Sequence, residues 1–258
     1  MTTSEIMARV DRLAVALREL TEQQIGLIES VVTQFRKPFL KIERSPASDL
    51  VDARLLRDFG DVLRMHQTFS KEALSKDRFE YALEKTLILC GRSATLAASR
   101  TNRGHDITIA GVPCSLKTQA DKGIREDEIY ISKFMELGKG HWSASVRDLR
   151  GLRDQFLHHM NAYERIFSLR CLSKDPTRWR YELVEIPKGL LQEASNGKLA
   201  VCRGSKQSPK PGYCEVTDTK GNIKFQLYFD GGTERKLQIK HLRKDLCAVH
   251  AQWEFATA

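Results

Sequence analysis

Residues His105 to Gln119, HDITIAGVPCSLKTQ, pair an acid with a lysine in a pattern suited to phosphodiester chemistry. Asp106 opens one apolar run, Ile107-Thr108-Ile109, and Ser115-Leu116-Lys117 closes another. Between them, Gly111-Val112-Pro113 holds the glycine and proline that a reversal needs. The pattern predicts a hairpin with Asp106 and Lys117 at one end. A carboxylate beside an ammonium suits metal-dependent cleavage: the carboxylate holds a divalent cation that polarises the phosphate and lowers the pKa of a water, and the lysine orients or deprotonates that water. Gln119 falls on the same strand face as Lys117, where it either touches that water or the phosphate or simply ends the strand.

The elements that must position this pair are read from periodicity. Residues 1 to about 98 read as helical almost throughout. Ile6, Val10, Leu13 and Leu17 recur at helical spacing, and Thr21-Glu22-Gln23-Gln24 is a capping box opening a second helix that stops at Pro38. These two predict a helical hairpin whose stripes pack either on the protomer or on a second copy. Asp49 to Phe59 and Asp61 to Phe69 predict shorter helices broken by Gly60. Asp77 caps a helix from Arg78 to Leu89, with Glu80 and Glu84 along the margin of its apolar stripe. After the connection SRTNRGH and the hairpin, residues 126–137 fit strand and helix periods equally. Ala144 to Tyr163 predicts a helix, and Ile166 to Leu172 and Trp179 to Ile186 predict strands around Asp175-Pro176. Beyond Pro187 short strands alternate with Gly, Ser, Pro and Lys clusters.

Composition sets the class. The 258 residues, 41% hydrophobic and 29% charged, are those of a globular protein, and the formal charge of +9 attracts polyanions. From Asn196 to the end, eleven Lys or Arg face six Asp or Glu, which marks this basic region as the candidate meeting phosphate backbones. Within it Arg235, Lys236, Lys240, Arg243 and Lys244 alternate with apolar residues, as in a DNA-facing element or a solvated amphipathic one. Six cysteines without a Cys-x-x-Cys pair point to reduced thiols in a cytosol. The set Cys202, Cys214, Cys247 and His250 lacks the paired knuckles of structural zinc sites. Gly138-Lys139-Gly140 is too short for a phosphate loop, and His158-His159 inside a helix places one ring inward and one outward. No run is long enough for a membrane span, and the polar start lacks a signal peptide pattern, so a cytoplasmic location is expected.

Over about residues 79 to 172 the chain resembles the PD-(D/E)xK nuclease superfamily, and within it the type II restriction endonucleases. Gly104-His105-Asp106 stands at the first acid of the motif and Ser115-Leu116-Lys117 at (Asp/Glu)-x-Lys, with Ser115 replacing an acid. A serine hydroxyl is no anionic ligand for Mg²⁺, so another carboxylate must complete the shell. The candidates are Glu80 and Glu84 upstream and Glu126 and Glu128 downstream, with Glu80 and Glu128 preferred. The resemblance implies an α/β, restriction-endonuclease-like core of mixed sheet flanked by helices, spanning residues 77–190, between a helical region 1–76 and a strand-rich basic region 191–258, all expected in one compact unit. It implies site-specific, Mg²⁺-dependent cleavage of double-stranded DNA, a homodimer matched to a palindromic site, a prokaryotic cell and a partner methyltransferase. The alternatives are a repair or structure-specific nuclease using the same residues, and a basic DNA-binding protein in which the hairpin is scaffold.

Overall fold

The helical N-terminal part forms because its caps and stripes agree. In a computed structural model describing residues 2–98, 104–121, 123–138, 142–143, 145–173, 175 and 177–257, α1 (Thr3–Leu17) and α2 (Glu22–Arg36) each open on a capping box, at Thr2 and Thr21. Residues 99–103, Lys139-Gly140, Ala144 and Pro176, all singled out from the sequence, lie outside the described residues. α1 buries none of its residues. α3 (Ala53–Phe69) runs straight through Gly60. A Cβ at Gly60 would come within 2.7 Å of Trp253 and 2.8 Å of Phe39, so the glycine admits aromatic rings against the helix instead of breaking it. α4 (Lys76–Leu89) starts at Lys76 rather than Arg78, with Ser75, not Asp77, at its N-cap.

Two strands interrupt this part. β1 (Lys41–Arg44) pairs with a strand at the other end of the chain, and β2 (Ala94–Leu96) pairs with the hairpin. The hairpin is β3 (Ile107–Ile109) and β4 (Val112–Gln119). Its reversal is Ala110-Gly111, both at positive φ (49° and 83°), the two-residue geometry that matches strand twist. Val112 and Pro113, expected in the turn, already pair with Ile109 and Thr108.

The ambiguous stretch is a strand, β5 (Glu128–Glu136), and α5 (Val146–His159) follows. β6 (Arg165–Cys171), β7 (Arg178–Glu185), α6 (Lys188–Gln192), β8 (Lys198–Val201), β9 (Gly212–Thr217), β10 (Ile223–Phe229), β11 (Lys236–Arg243) and β12 (Ala248–Ala256) complete the chain. A seven-stranded mixed sheet has the order β1-β12-β7-β6-β4-β3-β2, with β4 parallel to β6. A five-stranded antiparallel sheet has the order β5-β11-β10-β9-β8. The fold is thus mixed α/β, and strands from all three stretches expected along the sequence are interleaved in it.

Alternation along β4 divides two cores. Cys114 and Leu116 join α3 and α4 with Phe59, Phe79, Phe167 and Trp253. Ser115, Lys117 and Gln119 face the other way, toward the second core, where Phe134, Phe156 and Ile166 meet the five-stranded sheet. No helix among the described residues is long and apolar enough to cross a membrane.

Candidate active site

The hairpin brings Asp106 and Lys117 to one end of the mixed sheet, as the sequence predicts. Asp106 Oδ2 accepts from the Leu116 backbone N–H at 2.6 Å and from the Ser115 hydroxyl at 3.1 Å. Lys117 Nζ donates to Ser115 Oγ at 2.8 Å and lies 3.9 Å from Asp106 Oδ2. Ser115 thus couples the acid to the lysine. Lys117 is buried, and its ammonium stands 5.2 Å from the centre of the Phe134 ring.

α4 supplies the rest. Phe79, Leu83 and Leu87 bury one face of the helix, which leaves Glu80 at the margin of that face, turned toward the hairpin end. Lys76, one turn earlier, bridges the two acids: its Nζ is 2.7 Å from Glu80 Oε1 and 2.8 Å from Asp106 Oδ1. Lys76 is not among the candidates the sequence singles out on this helix, which are acids only. The Lys-x-x-x-Glu spacing on one helix was the available signal.

Burial pushes the Asp106 carboxyl up, but the charges of Lys117 and Lys76 and the hydrogen bonds from Lys76 and the Leu116 N–H outweigh it and hold the group below the ordinary value. Burial is also the main influence on Lys117, and here it prevails over the attraction of Asp106, lowering the ammonium to about 8. Lys76 is raised, because its two carboxylates overcome its own desolvation. Among the described residues the buried hydroxyls of Tyr163 and Ser168 have no hydrogen-bond partner, and Ser168 stands beside Lys117 in the β4–β6 register.

The other candidates have different partners. Glu128, preferred from sequence alongside Glu80, is engaged by Arg125 and His241, both at 3.4 Å. Glu84 accepts from the Leu96 backbone, and Glu126 pairs with Arg180. Gln119 accepts from Arg170 Nε at 2.8 Å, in a buried layer where Arg170 also pairs with Glu182. Lys244 joins that layer through Glu182 at 3.0 Å. Lys236 pairs with Glu234, Arg243 with Asp245 and Asp218, Lys240 lies 3.8 Å over Tyr228, and Arg235 lies 5.7 Å from the Trp142 ring. These cations of the basic region are therefore tied to neighbours within the chain.

Among the described residues a possible three-ligand metal set is Asp49, Glu185 and His250, with ligand atoms within 4.8 Å of one another, and not the cysteine set. Arg165 already spans it. Its guanidinium bonds both oxygens of Asp49 at 2.9 and 2.8 Å and both of Glu185 at 2.8 and 2.6 Å. His250 bonds Glu185 at 2.9 Å and the Ser48 hydroxyl at 2.7 Å.

A basic α/β protein with an acid and lysine cluster at a sheet end is chemically suited to phosphodiester cleavage, and comparison with known proteins gives the class. Residues 13–255 match the family described as "SmaI: Type II site-specific deoxyribonuclease". The chain is 48% identical over 215 residues, 83% of its length and 85% of the relative's, to the type II restriction enzyme SmaI of Serratia marcescens. No solved structure matches. The chain belongs to the SmaI family of type II restriction endonucleases. It is a site-specific deoxyribonuclease, which sets aside the repair nuclease and the non-catalytic binding protein as readings of this sequence.

Proposed function

We propose that Asp106, Glu80 and Lys117 are the hydrolytic centre of this endonuclease, a Ser-x-Lys variant of the PD-(D/E)xK arrangement, and that it works with Mg²⁺ on double-stranded DNA. The observation that carries the reading is the convergence of Asp106 Oδ1 and Glu80 Oε1 on one cation position, now taken by Lys76 at 2.8 and 2.7 Å, beside Lys117. Two hard carboxylate oxygens suit Mg²⁺, which keeps several waters and takes only one or two protein carboxylates. Mg²⁺ bound there supplies Lewis-acid polarisation of the scissile phosphate.

The chain's own residues do the remainder. The Leu116 N–H and Ser115 hydroxyl orient Asp106 through Oδ2, which leaves Oδ1 directed at the cation position. Ser115 also holds the Lys117 ammonium in place. With a pKa lowered to about 8, Lys117 orients the attacking water and takes up its proton near neutral pH. The decisive experiment is incubation of plasmid DNA with the wild type and with Lys117→Ala and Glu80→Gln, with Mg²⁺ or EDTA. Discrete fragments from the wild type with Mg²⁺ alone are expected, with both variants inactive yet binding DNA. Full cleavage by Glu80→Gln would remove Glu80 from the centre.

Cutting both strands with one such centre per chain favours a homodimer on a two-fold site. In support, α1 exposes Ile6, Val10 and Leu13, which with Leu17 follow the alternating four-and-three spacing of a coiled-coil seam. A lone helix of this length is marginal in water without a partner for that seam. Sedimentation of the wild type and of Val10→Asp/Leu13→Asp tests it: a dimer is expected for the first and a monomer that only nicks DNA for the second. A partner methyltransferase guarding the host genome completes the proposal.

A further inference from the structure

We infer that Lys76 is a displaceable internal cation, an ammonium that holds Asp106 and Glu80 together and must leave before a divalent cation can take their shared position. This rests on reading the two acids as the metal ligands. Lys76 Nζ stands 2.8 Å from Asp106 and 2.7 Å from Glu80, so it occupies the point where the two carboxylates converge. The two lysines of the site differ in what binds them. Lys117 is on a central strand, 8% exposed, and fastened by Ser115 within the fold. Lys76 is on the first turn of α4, 40% exposed, and has four flexible carbons by which to swing into water.

The charge count gives the consequence. With Lys76 in place, two carboxylates face two lysines, and the cluster has little net attraction for a dication. With Lys76 withdrawn, the carboxylates regain that attraction. A DNA phosphate near the site offers the withdrawn ammonium a new anionic partner, so DNA and metal help each other bind. The coupling is reciprocal by linkage: whatever DNA adds to metal affinity, metal adds to DNA affinity.

The test is Mn²⁺ binding to DNA-free protein, followed by electron paramagnetic resonance, for wild type, Lys76→Met and Asp106→Asn. Lys76→Met keeps the stem and removes the charge. It is expected to bind Mn²⁺ about tenfold more tightly than wild type, the scale of one partly solvated charge pair. Its melting temperature is expected to fall in EDTA and recover with Mn²⁺. Equal Mn²⁺ affinity in Lys76→Met and wild type, with binding lost in Asp106→Asn, would overturn the role of Lys76 and leave the metal site standing. Binding unaffected by Asp106→Asn would instead overturn the metal site itself. If Lys76→Met folds poorly, Lys76→Gln gives the same readout with a polar end group.

Discussion

Asp106 with Glu80 and Asp49 with Glu185 each close on a basic side chain, and of these two pairs only the first is suited to give that side chain up. At the hairpin end, Asp106 and Glu80 hold the single ammonium of Lys76. Across the sheet, Asp49 and Glu185 hold the guanidinium of Arg165 through four bonds, with the Phe167 ring 4.9 Å beneath it. A planar fork bonded to both acids has no second position to move to, whereas a compact charge on a long stem has many. The Arg165 cluster is therefore a clamp. It ties the segment before α3 to β6 and β7, and through His250 to β12. Proximity of ligand-type residues also suits a metal ion there, but the position between the acids is filled by a guanidinium held in four bonds.

The contrast breaks most visibly by substitution. Lys117→Ala is expected to lower the cleavage rate by about 10²–10⁴-fold, as for loss of a proton-transfer group, with the urea midpoint nearly unchanged. Arg165→Ala should do the opposite: cleavage per folded molecule is kept, while stability falls by about 2 kcal/mol because half-buried Glu185 loses the guanidinium and keeps only His250. A rate loss in Arg165→Ala as large as that of Lys117→Ala would end the distinction between clamp and catalytic centre.

The dependence on pH sharpens it. Lys117 must shed its proton to act as a base, so the rate should rise about tenfold per pH unit below its pKa of about 8 and level off above it. Stopped-flow or quench assays over that range read the slope, and a flat profile would leave Lys117 a positioning group only. The clamp titrates at the acid end. Burial pushes Glu185 up, but Arg165 and His250 outweigh it and hold the group below its ordinary 4.5, while Asp49 is lowered by Arg165. Carboxyls lowered by folding stabilise the protein above their ordinary pKa, and that contribution disappears as pH falls through the lowered value. Asp49→Asn, at an exposed end of the clamp, should cost under about 1 kcal/mol at neutral pH and make acid unfolding less steep.

The acid and the lysine were legible in the sequence because both belong to one hairpin, whose strands and turn are encoded by adjacent residues. The turn was misplaced by a short distance, since Ala110 takes a positive φ that its residue type does not announce. Which glutamate approaches was not legible. Glu80 and Glu128 are equally acidic, and the choice fell to how α4 lies on the sheet and to Arg125 and His241 drawing Glu128 elsewhere. β1 carried no strand period of its own, since its pairing partner is β12 at the far end of the chain. Two cations of the C-terminal region have neighbours that no local pattern announces, since Lys240 lies over Tyr228 of β10 and Lys244 reaches Glu182 of β7.

What the sequence by itself determined, then, is local: the capped helices, the hairpin, the Asp106–Ser115–Lys117 group, and a surface charge fit for nucleic acid. Tertiary structure set Glu80 rather than Glu128 near Asp106, placed Lys76 between the two acids, let Gly60 pass inside a helix beneath Trp253, and filled the other carboxylate pair with Arg165. The physical reason is range. Caps, turns and alternation act within a few residues, while a cation position forms only where charges distant in the chain are packed within about 3–4 Å of each other and away from water.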